Sequence, residues 1–262
     1  MNDLVKVAIK ASKRAAKFIK ESYGRVSSFQ DKKPSDLKDF LTTVDVQVEN
    51  LIIKEIHRSF PDHSILGEES GKIQRRDEYI WVIDPLDGTK NFIRGLGQFA
   101  TSVGLMKKGQ PYVGVLYDPL EELVFWAIRG EGAFMNGNRL YVTQTSELDS
   151  ACLSLNLGKT RQIRRTSLAA LKILSEYVPI IRIQGSTAYT IGQLVQGKFD
   201  GLIDNGEYWD WAAAIVVIQE AGGKVTTWEG KEITESSQFV LWSNGLLHDK
   251  LVERLSPIFG SF

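Results

Sequence analysis

Apolar residues recur along this chain with two different periods. Near the N-terminus Leu4, Val7, Ala8, Ala11, Ala15 and Phe18 fall at helical spacing, and Gly24 follows as a C-cap. Residues 25–41 carry the charged run DKKPSDLKD and read as a polar loop. A second helix starts near Thr43. Val48, Leu51, Ile52 and Ile56 form its inner face, and Pro61 marks its end. The period then changes. Residues 79–83, YIWVI, read as a buried strand. ATSVGLMKK, YVGVLYD, LVFWAIR and, after the Asn136-Gly137 turn, NRLYVT read as further strands.

The second half alternates. The pattern predicts strands at 151–155, 180–183, 199–204, 223–228 and 238–242, with helices at 163–177, 187–196, 210–221 and 246–255. Strands bunched early and alternating with helices later point to layered α/β or α+β sheets covered by helices. The 262 residues, 43% of them hydrophobic, suffice for one large unit. A soft internal boundary is expected near 145, between 1–145 and 146–262, with no repeat or Pro/Ser-rich linker to separate the halves.

Charge adds little to this picture. Lys+Arg and Asp+Glu are both 32, so the formal net charge is zero, and nothing global points to nucleic acid or an anionic membrane. The single cysteine, Cys152, precludes an intrachain disulfide. The Lys-punctuated N-terminus lacks the apolar core of a signal peptide, and no window approaches the ~18 apolar residues of a membrane span. A soluble cytoplasmic protein is expected.

The informative feature is the placement of acids. Asp45 sits in LTTVD, Glu68-Glu69 in ILGEES, Asp84 and Asp87 in DPLDGT, and Asp210 in YWDWAAA. Three of these segments follow apolar runs, which puts acids at strand ends, where open sheets place ligands. Buried carboxylates there are costly unless a cation or donor compensates. Carboxylates with carbonyl oxygens suit Mg²⁺. His57, His63 and His248 do not cluster, so zinc does not fit. Within DPLDGT, Pro85 removes an amide and stiffens the strand exit. Gly88 permits close backbone approach. Thr89 can start a helix whose first amides face a phosphate. Each acid also has a plainer reading: Asp-Gly as a turn, GEES as a solvated loop, Asp210 as an N-cap, and Asp45 as a first-turn acid.

ILGEES, WVIDPLDGTKNF and YWDWAAAIVVIQEAGG resemble the motifs of the inositol monophosphatase family, in family order, from about Leu41 to Gly223. This family belongs to the Mg²⁺-dependent, lithium-sensitive sugar phosphatases, with fructose-1,6-bisphosphatase and the 3′-phosphoadenosine 5′-phosphate phosphatases. The resemblance implies an α+β, layered αβαβα sandwich and a homodimer. It also implies two or three Mg²⁺ ions. Glu68, Asp84 and the Leu86 carbonyl would hold the first, and Asp84, Asp87 and Asp210 the second. Glu68 would stand near a third. Thr89, with Asp45 or Glu68, would orient and deprotonate the attacking water, the Gly88 and Thr89 amides would hold the phosphate, and Glu69 would sit beside the ligands. The implied reaction is hydrolysis of a small sugar or polyol phosphate by direct attack of metal-activated water.

Substrate choice is less clearly written. Gly185, Ser186, Thr187 and Ala188 of GSTAYTI match the segment that touches ring hydroxyls; a capped helix start is the plainer reading. The family's inositol-binding glutamate precedes the WD motif. Here GLIDNGEYWD leaves Asp204 or Glu207 as its replacement. LGKTRQIRR places Lys159, Arg161, Arg164 and Arg165 together. The run is a solvated face or, through Lys159 and Arg161, a clamp for a second phosphate. Inositol-1-phosphatase with fructose-1,6-bisphosphatase as a second activity is the first expectation. A 3′-phosphoadenosine 5′-phosphate phosphatase and a regulatory or scaffold protein on a phosphatase fold are the alternatives. An aspartyl-nucleophile phosphatase needs Asp-x-Asp-x-Thr, which DPLDGT does not supply. A cysteine phosphatase needs Arg where Gly158 stands. No nucleotide-triphosphate loop is present. The partner expected is a small phosphate ester, not a nucleic acid or a membrane.

Overall fold

The computed structural model describes residues 2–25, 30–31, 40–74 and 78–258. In chain order the elements are α1 (Asp3–Ser22), β1 (Gln30–Asp31), β2 (Phe40–Leu41), α2 (Thr43–Ser59), β3 (Ser64–Gly67), β4 (Gly71–Ile73), β5 (Tyr79–Asp87), α3 (Thr89–Ile93), β6 (Ala100–Lys107), β7 (Gln110–Asp118), β8 (Leu123–Ile128), β9 (Gly132–Met135) and β10 (Asn138–Arg139). The second part adds β11 (Cys152–Leu155), α4 (Arg161–Leu174), β12 (Ile180–Arg182), α5 (Thr187–Leu194), β13 (Gly201–Asp204), α6 (Tyr208–Glu220), β14 (Lys224–Thr227), β15 (Val240–Ser243) and α7 (His248–Leu255). The expected polar loop at 25–41 contains the antiparallel pair β1–β2; the rest of that loop lies outside the described residues.

Two sheets build the molecule. The larger has order β10-β9-β8-β7-β6-β5-β3-β4, antiparallel except for the β3–β5 pair. The smaller has order β12-β11-β13-β15-β14, with β11 parallel to both its neighbours. One apolar core joins α1 and α2 to one face of the larger sheet, through Val48, Ile52, Trp81, Val103 and Val115. A second joins that sheet's other face to α5, α6 and the smaller sheet, through Phe125, Ile191, Trp211, Val216 and Trp242. A third joins the smaller sheet to α4 and α7, through Leu153, Leu241, Ala170 and Leu251. The order is helix, sheet, helix, sheet, helix: the expected layered α+β sandwich. Both faces of β7 are covered, so eight of its nine residues from Pro111 on are partly or fully buried and no polar alternation shows.

The caps explain where helices begin and end. Asn2 caps α1 by accepting from the Leu4 amide, and Gly24 at φ 73° follows its last turn. The buried stripe of α1 is Val5, Ala8, Ala11, Ser12, Ala15, Ala16 and Ile19, one position round from the expected one. Asn136 and Gly137 both have positive φ, as a type I′ turn requires, and join β9 to β10. The strand expected over NRLYVT stops at Arg139. Leu140 and Val142 are buried and Tyr141 is exposed. The Leu140 amide still donates to the Ala133 carbonyl of β9, and beyond it the alternation packs the chain past the end of α6, where the Val142 amide donates to the Ala221 carbonyl. Among the described residues no helix is long and apolar enough to cross a membrane.

Candidate active site

Strand β5 carries the centre of the site. Its register against β6 shifts between Asp84, opposite Ser102, and Asp87, opposite Ala100. Pro85 and Leu86 thus face the single residue Thr101, whose hydroxyl donates to the Pro85 carbonyl at 3.1 Å. The bulge re-aims the strand end. The Leu86 amide turns back to donate to Asp84 Oδ1 at 2.9 Å. Gly88 follows at φ 94°, and a Cβ there would lie 2.8 Å from the Gln98 carbonyl oxygen. Helix α3 then opens at Thr89.

Asp84, Asp87 and Asp210 each present a ligand atom, and these atoms lie within 4.8 Å of one another. Glu68, at the end of β3, joins them on the wall of a cavity of about 270 Å³. Its amide donates to the Ile83 carbonyl at 3.0 Å, continuing the β3–β5 ladder to the residue beside Asp84. Burial, then the carboxylates of Glu68, Asp87 and Asp210, hold Asp84 well above the usual carboxylate range. Burial raises Asp87 to about 7 against the pull of the Ala188 amide and Ser186 hydroxyl. Burial likewise holds Asp210 well up, opposed by Lys159 and reinforced by Asp87 and Glu68. Such a group resists ionising together unless a cation is added. The donors are all oxygens, which suits a hard divalent ion such as Mg²⁺.

Each acid is tied down by its surroundings. Asp45 is the third residue of α2 and completes a capping box: its Oδ2 accepts from the Thr42 amide at 2.8 Å and the Thr42 hydroxyl at 2.6 Å. Its Oδ1 faces the Thr89 hydroxyl at 3.0 Å. Thr89 Oγ1 also lies 3.0 Å from the Leu86 carbonyl. Asp210 is likewise the third residue of α6, and its Oδ2 accepts from the Glu207 amide at 2.8 Å. Asp87 Oδ2 accepts from the Ser186 hydroxyl at 2.8 Å and the Ala188 amide at 2.5 Å, across the start of α5.

The expected substrate residues separate into two groups. Gly185, Ser186, Thr187 and Lys159 line the cavity. Ala188, Asp204, Glu207 and Arg161 do not. Asp204 is fully buried, and its oxygens accept from Asn156 at 2.8 Å, Thr187 at 2.9 Å and the Trp211 indole at 3.0 Å. It holds β11, α5 and α6 together and has no face toward a ligand. Glu207 is exposed at the N-cap of α6. Ala188 is buried and spends its amide on Asp87. Arg161 and Arg164 are both exposed, one turn apart at the start of α4, and of the two Arg164 lines the cavity with Lys159. Glu69 gives its amide to Glu49 at 3.0 Å. Sequence reasoning passed over Asn91, whose amide donates to the Gln98 and Gln184 carbonyls at 2.6 and 2.8 Å, pinning α3 to the 184–185 loop. It also passed over Asn156, which accepts from the Gly185 amide at 3.1 Å. Asn91 lies within the quoted WVIDPLDGTKNF and Asn156 just before LGKTRQIRR, and an Asn in a helix's first turn or at a strand end was the available signal.

A layered sandwich whose oxygen ligands converge at a bulged strand end beside a helix start defines a phosphatase-fold protein. The family model for the inositol monophosphatase family matches residues 1–258, and the chain belongs to that family. The match extends past both ends of the 41–223 segment that carries the motifs. The chain is 37% identical over 260 residues to the Nus factor SuhB of Pasteurella multocida, covering 98% of this chain and 97% of the relative. It is 31% identical over 257 residues to the fructose-1,6-bisphosphatase/inositol-1-monophosphatase of Thermotoga maritima, at 98% and 97% coverage. The solved structure of a Thermotoga maritima IMPase superposes with a TM-score of 0.90 at 30% identity, covering 99% of each chain.

Proposed function

We propose that this chain is a Mg²⁺-dependent phosphomonoesterase of small sugar or polyol phosphates, acting on inositol 1-phosphate and, as a second substrate, fructose 1,6-bisphosphate. The observation that carries the reading is the convergence of Asp84, Asp87 and Asp210 to within 4.8 Å. With Glu68 and the Leu86 carbonyl they would hold two or three ions. Mg²⁺ bound there supplies charge neutralisation for the phosphate and makes a nearby water more acidic. The rest falls to the chain's own groups. The amides of Gly88 and Thr89 would hold the phosphate, since the first amides of a helix have no acceptor within it. The Thr89 hydroxyl has two acceptors for one proton, Asp45 Oδ1 and the Leu86 carbonyl, so its oxygen keeps a lone pair for an incoming water proton. Asp45 is the carboxylate we assign to that transfer. Proton acceptance needs a partner within hydrogen-bond reach, and Asp45 Oδ1 lies 3.0 Å from the Thr89 hydroxyl.

Lys159 and Arg164 on the cavity wall would receive a second phosphate, while the polyol would meet Gly185, Thr187 and Asn205. A cytoplasmic homodimer belongs to the same reading. The Nus factor name of the relatives at 37% identity and below favours a second reading, a regulatory role on this fold with or beside hydrolysis. One experiment tests both: phosphate release with Mg²⁺ on inositol 1-phosphate, fructose 1,6-bisphosphate and 3′-phosphoadenosine 5′-phosphate in parallel. Turnover of the first two supports the proposal. Preference for the third selects the nucleotide branch, and no turnover on any leaves the regulatory role.

A further inference from the structure

Helix α2 buries three carboxylates, Asp45, Glu49 and Glu55. Two have clear uses. Glu55 meets Lys10 and, at 3.2 Å, Arg14, both on α1. Asp45 meets Thr89. Glu49 lies one turn after Asp45, on the same helix face, and is 2% exposed. Its Oε2 accepts from the Glu69 amide at 3.0 Å and its Oε1 from the Ser70 amide at 2.8 Å. A carboxylate is an expensive acceptor to bury for two neutral amides. What distinguishes those amides is their address: they are the two that follow Glu68.

We propose that Glu49 is a positioning residue for the Mg²⁺ site. On one side of Glu68, its own amide is bonded to the Ile83 carbonyl. On the other side, Glu49 fixes the next two amides. The Glu68 backbone is thereby clamped at both ends, and its carboxylate is aimed at Asp84 and the cavity. Gly67 supports the assignment. A Cβ at Gly67 would lie 2.6 Å from Glu49 Oε2 and 2.6 Å from Ser70 Oγ, so the carboxylate occupies the space any side chain would need. One helix then sets both halves of the site: Asp45 orients Thr89, and one turn later Glu49 orients Glu68. The inference rests on the reading of Glu68 as a Mg²⁺ ligand.

The test is calorimetric titration of the full chain with Mg²⁺, together with phosphate release as a function of Mg²⁺ concentration. In Glu49→Gln, one amide faces an NH₂ instead of an oxygen. In Gly67→Ala, a methyl group displaces the carboxylate. Both should weaken Mg²⁺ binding about 10- to 100-fold, the range seen when groups that hold a ligand are altered, with kcat at saturating Mg²⁺ within a few-fold of the parent. Glu55→Gln controls for damage to α2: it should lower the unfolding temperature and leave Mg²⁺ affinity unchanged. Parent-like Mg²⁺ affinity in folded Glu49→Gln, or equal weakening in Glu55→Gln, overturns the proposal. A parent protein that neither binds Mg²⁺ nor releases phosphate overturns the functional reading instead, and this inference with it.

Discussion

Asp210 reaches the acidic cluster only because α6 lies unusually close to the larger sheet. Gly104 of β6 and Gly114 of β7 are cross-strand partners, and together they make a flat patch beneath α6. A Cβ at Gly114 would stand 2.2 Å from the Ala213 carbonyl oxygen; one at Gly104 would stand 2.9 Å from the Ala213 amide nitrogen. These are backbone atoms of α6, one turn after Asp210, so no side chain can rotate away. Ordinary contact begins at 3.4 Å. Moving from 2.2 to 3.4 Å, Gly114→Ala must lift α6 by about 1.2 Å, while Gly104→Ala asks for about 0.5 Å, from 2.9 to 3.4 Å.

Mg²⁺ demands near-ideal geometry at about 2.0–2.1 Å, so a displacement of ~1 Å removes Asp210 as a ligand. Misplacement on that scale can cost about 10²-fold in rate. Overpacking itself costs about 1–3 kcal/mol, which for a chain of this size lowers Tm by roughly 2–12 °C. We expect Gly114→Ala to fold, to lose about 10²-fold in kcat/KM and to need much more Mg²⁺ for half-maximal activity. Gly104→Ala should fall between it and the parent. The assay is phosphate release against Mg²⁺ well below each variant's Tm. Parent-like Mg²⁺ dependence in folded Gly114→Ala, or equal effects at the two glycines, would refute the reasoning.

Three further expectations follow from named contacts. Asp87→Asn should bring Mg²⁺-dependent hydrolysis to background with the fold intact by circular dichroism, whereas Ser186→Ala, which removes one of two donors to Asp87, should raise the Mg²⁺ requirement only about 10-fold. Arg164→Ala should reduce kcat/KM on fructose 1,6-bisphosphate about 10-fold more than on inositol 1-phosphate, and Arg161→Ala should change neither; steady-state kinetics on both substrates decides. His248, 1% exposed and held between Ser243 and Thr226 at 2.8 Å each, has its pKa lowered by burial from 6.5 to about 4. The unfolded chain therefore takes up a proton first, so stability is unaffected above about pH 6.5 and falls as pH drops toward 4, by at most about 3 kcal/mol. Urea unfolding across that range should show a shallower fall in His248→Gln, and identical slopes would remove His248 as the cause.

Much of the architecture was legible because its elements carry strong local signals. The stripe Val48, Ile52, Ile56 repeats at helical spacing, and the run YIWVI is short, rich in aromatic and β-branched residues, and followed by Asp84-Pro85. What was lost depended on partners distant in sequence. NRLYVT alternates as a strand does, but no neighbouring strand continues beside Tyr141. SILG is too short to announce β3 without β5 beside it. At the site, Asp84, Asp87 and Asp210 come within 4.8 Å of one another, while the pocket wall does not follow from the motif. Asp204 and Glu207 are equally good replacement acids in one dimension. Folding seals the first beneath Asn156, Thr187 and Trp211 and leaves the second in solvent. Arg161 and Arg164 lie one turn apart and are both exposed, and only the packing of α4 decides which of them borders the cavity.

For the acids of the site capping and function are not alternatives, because the geometry joins the two. Asp45 and Asp210 are indeed first-turn capping acids. Each spends Oδ2 on the N-cap amide of its own helix. Asp87 spends Oδ2 at the start of α5, and Asp84 spends Oδ1 on the Leu86 amide. In Asp87 and Asp210 the donors from the main chain and capping hydroxyls fall on one oxygen, Oδ2, while Asp45 divides its two oxygens between its own cap and the Thr89 hydroxyl. That division solves a problem common to any cluster of like charges. A carboxylate with both oxygens unbonded would rotate away from its neighbours, because they repel it. A carboxylate sealed away from the cavity by its donors, as Asp204 is beneath Asn156, Thr187 and Trp211, has nothing to offer a ligand. Anchoring one oxygen orients the other against the repulsion, and the cost of holding it there is met by ordinary helix caps and turns. Capping chemistry is therefore the means by which this fold holds its acidic centre in place, and a cap signal at Asp45 or Asp210 counts for a functional role as much as against it.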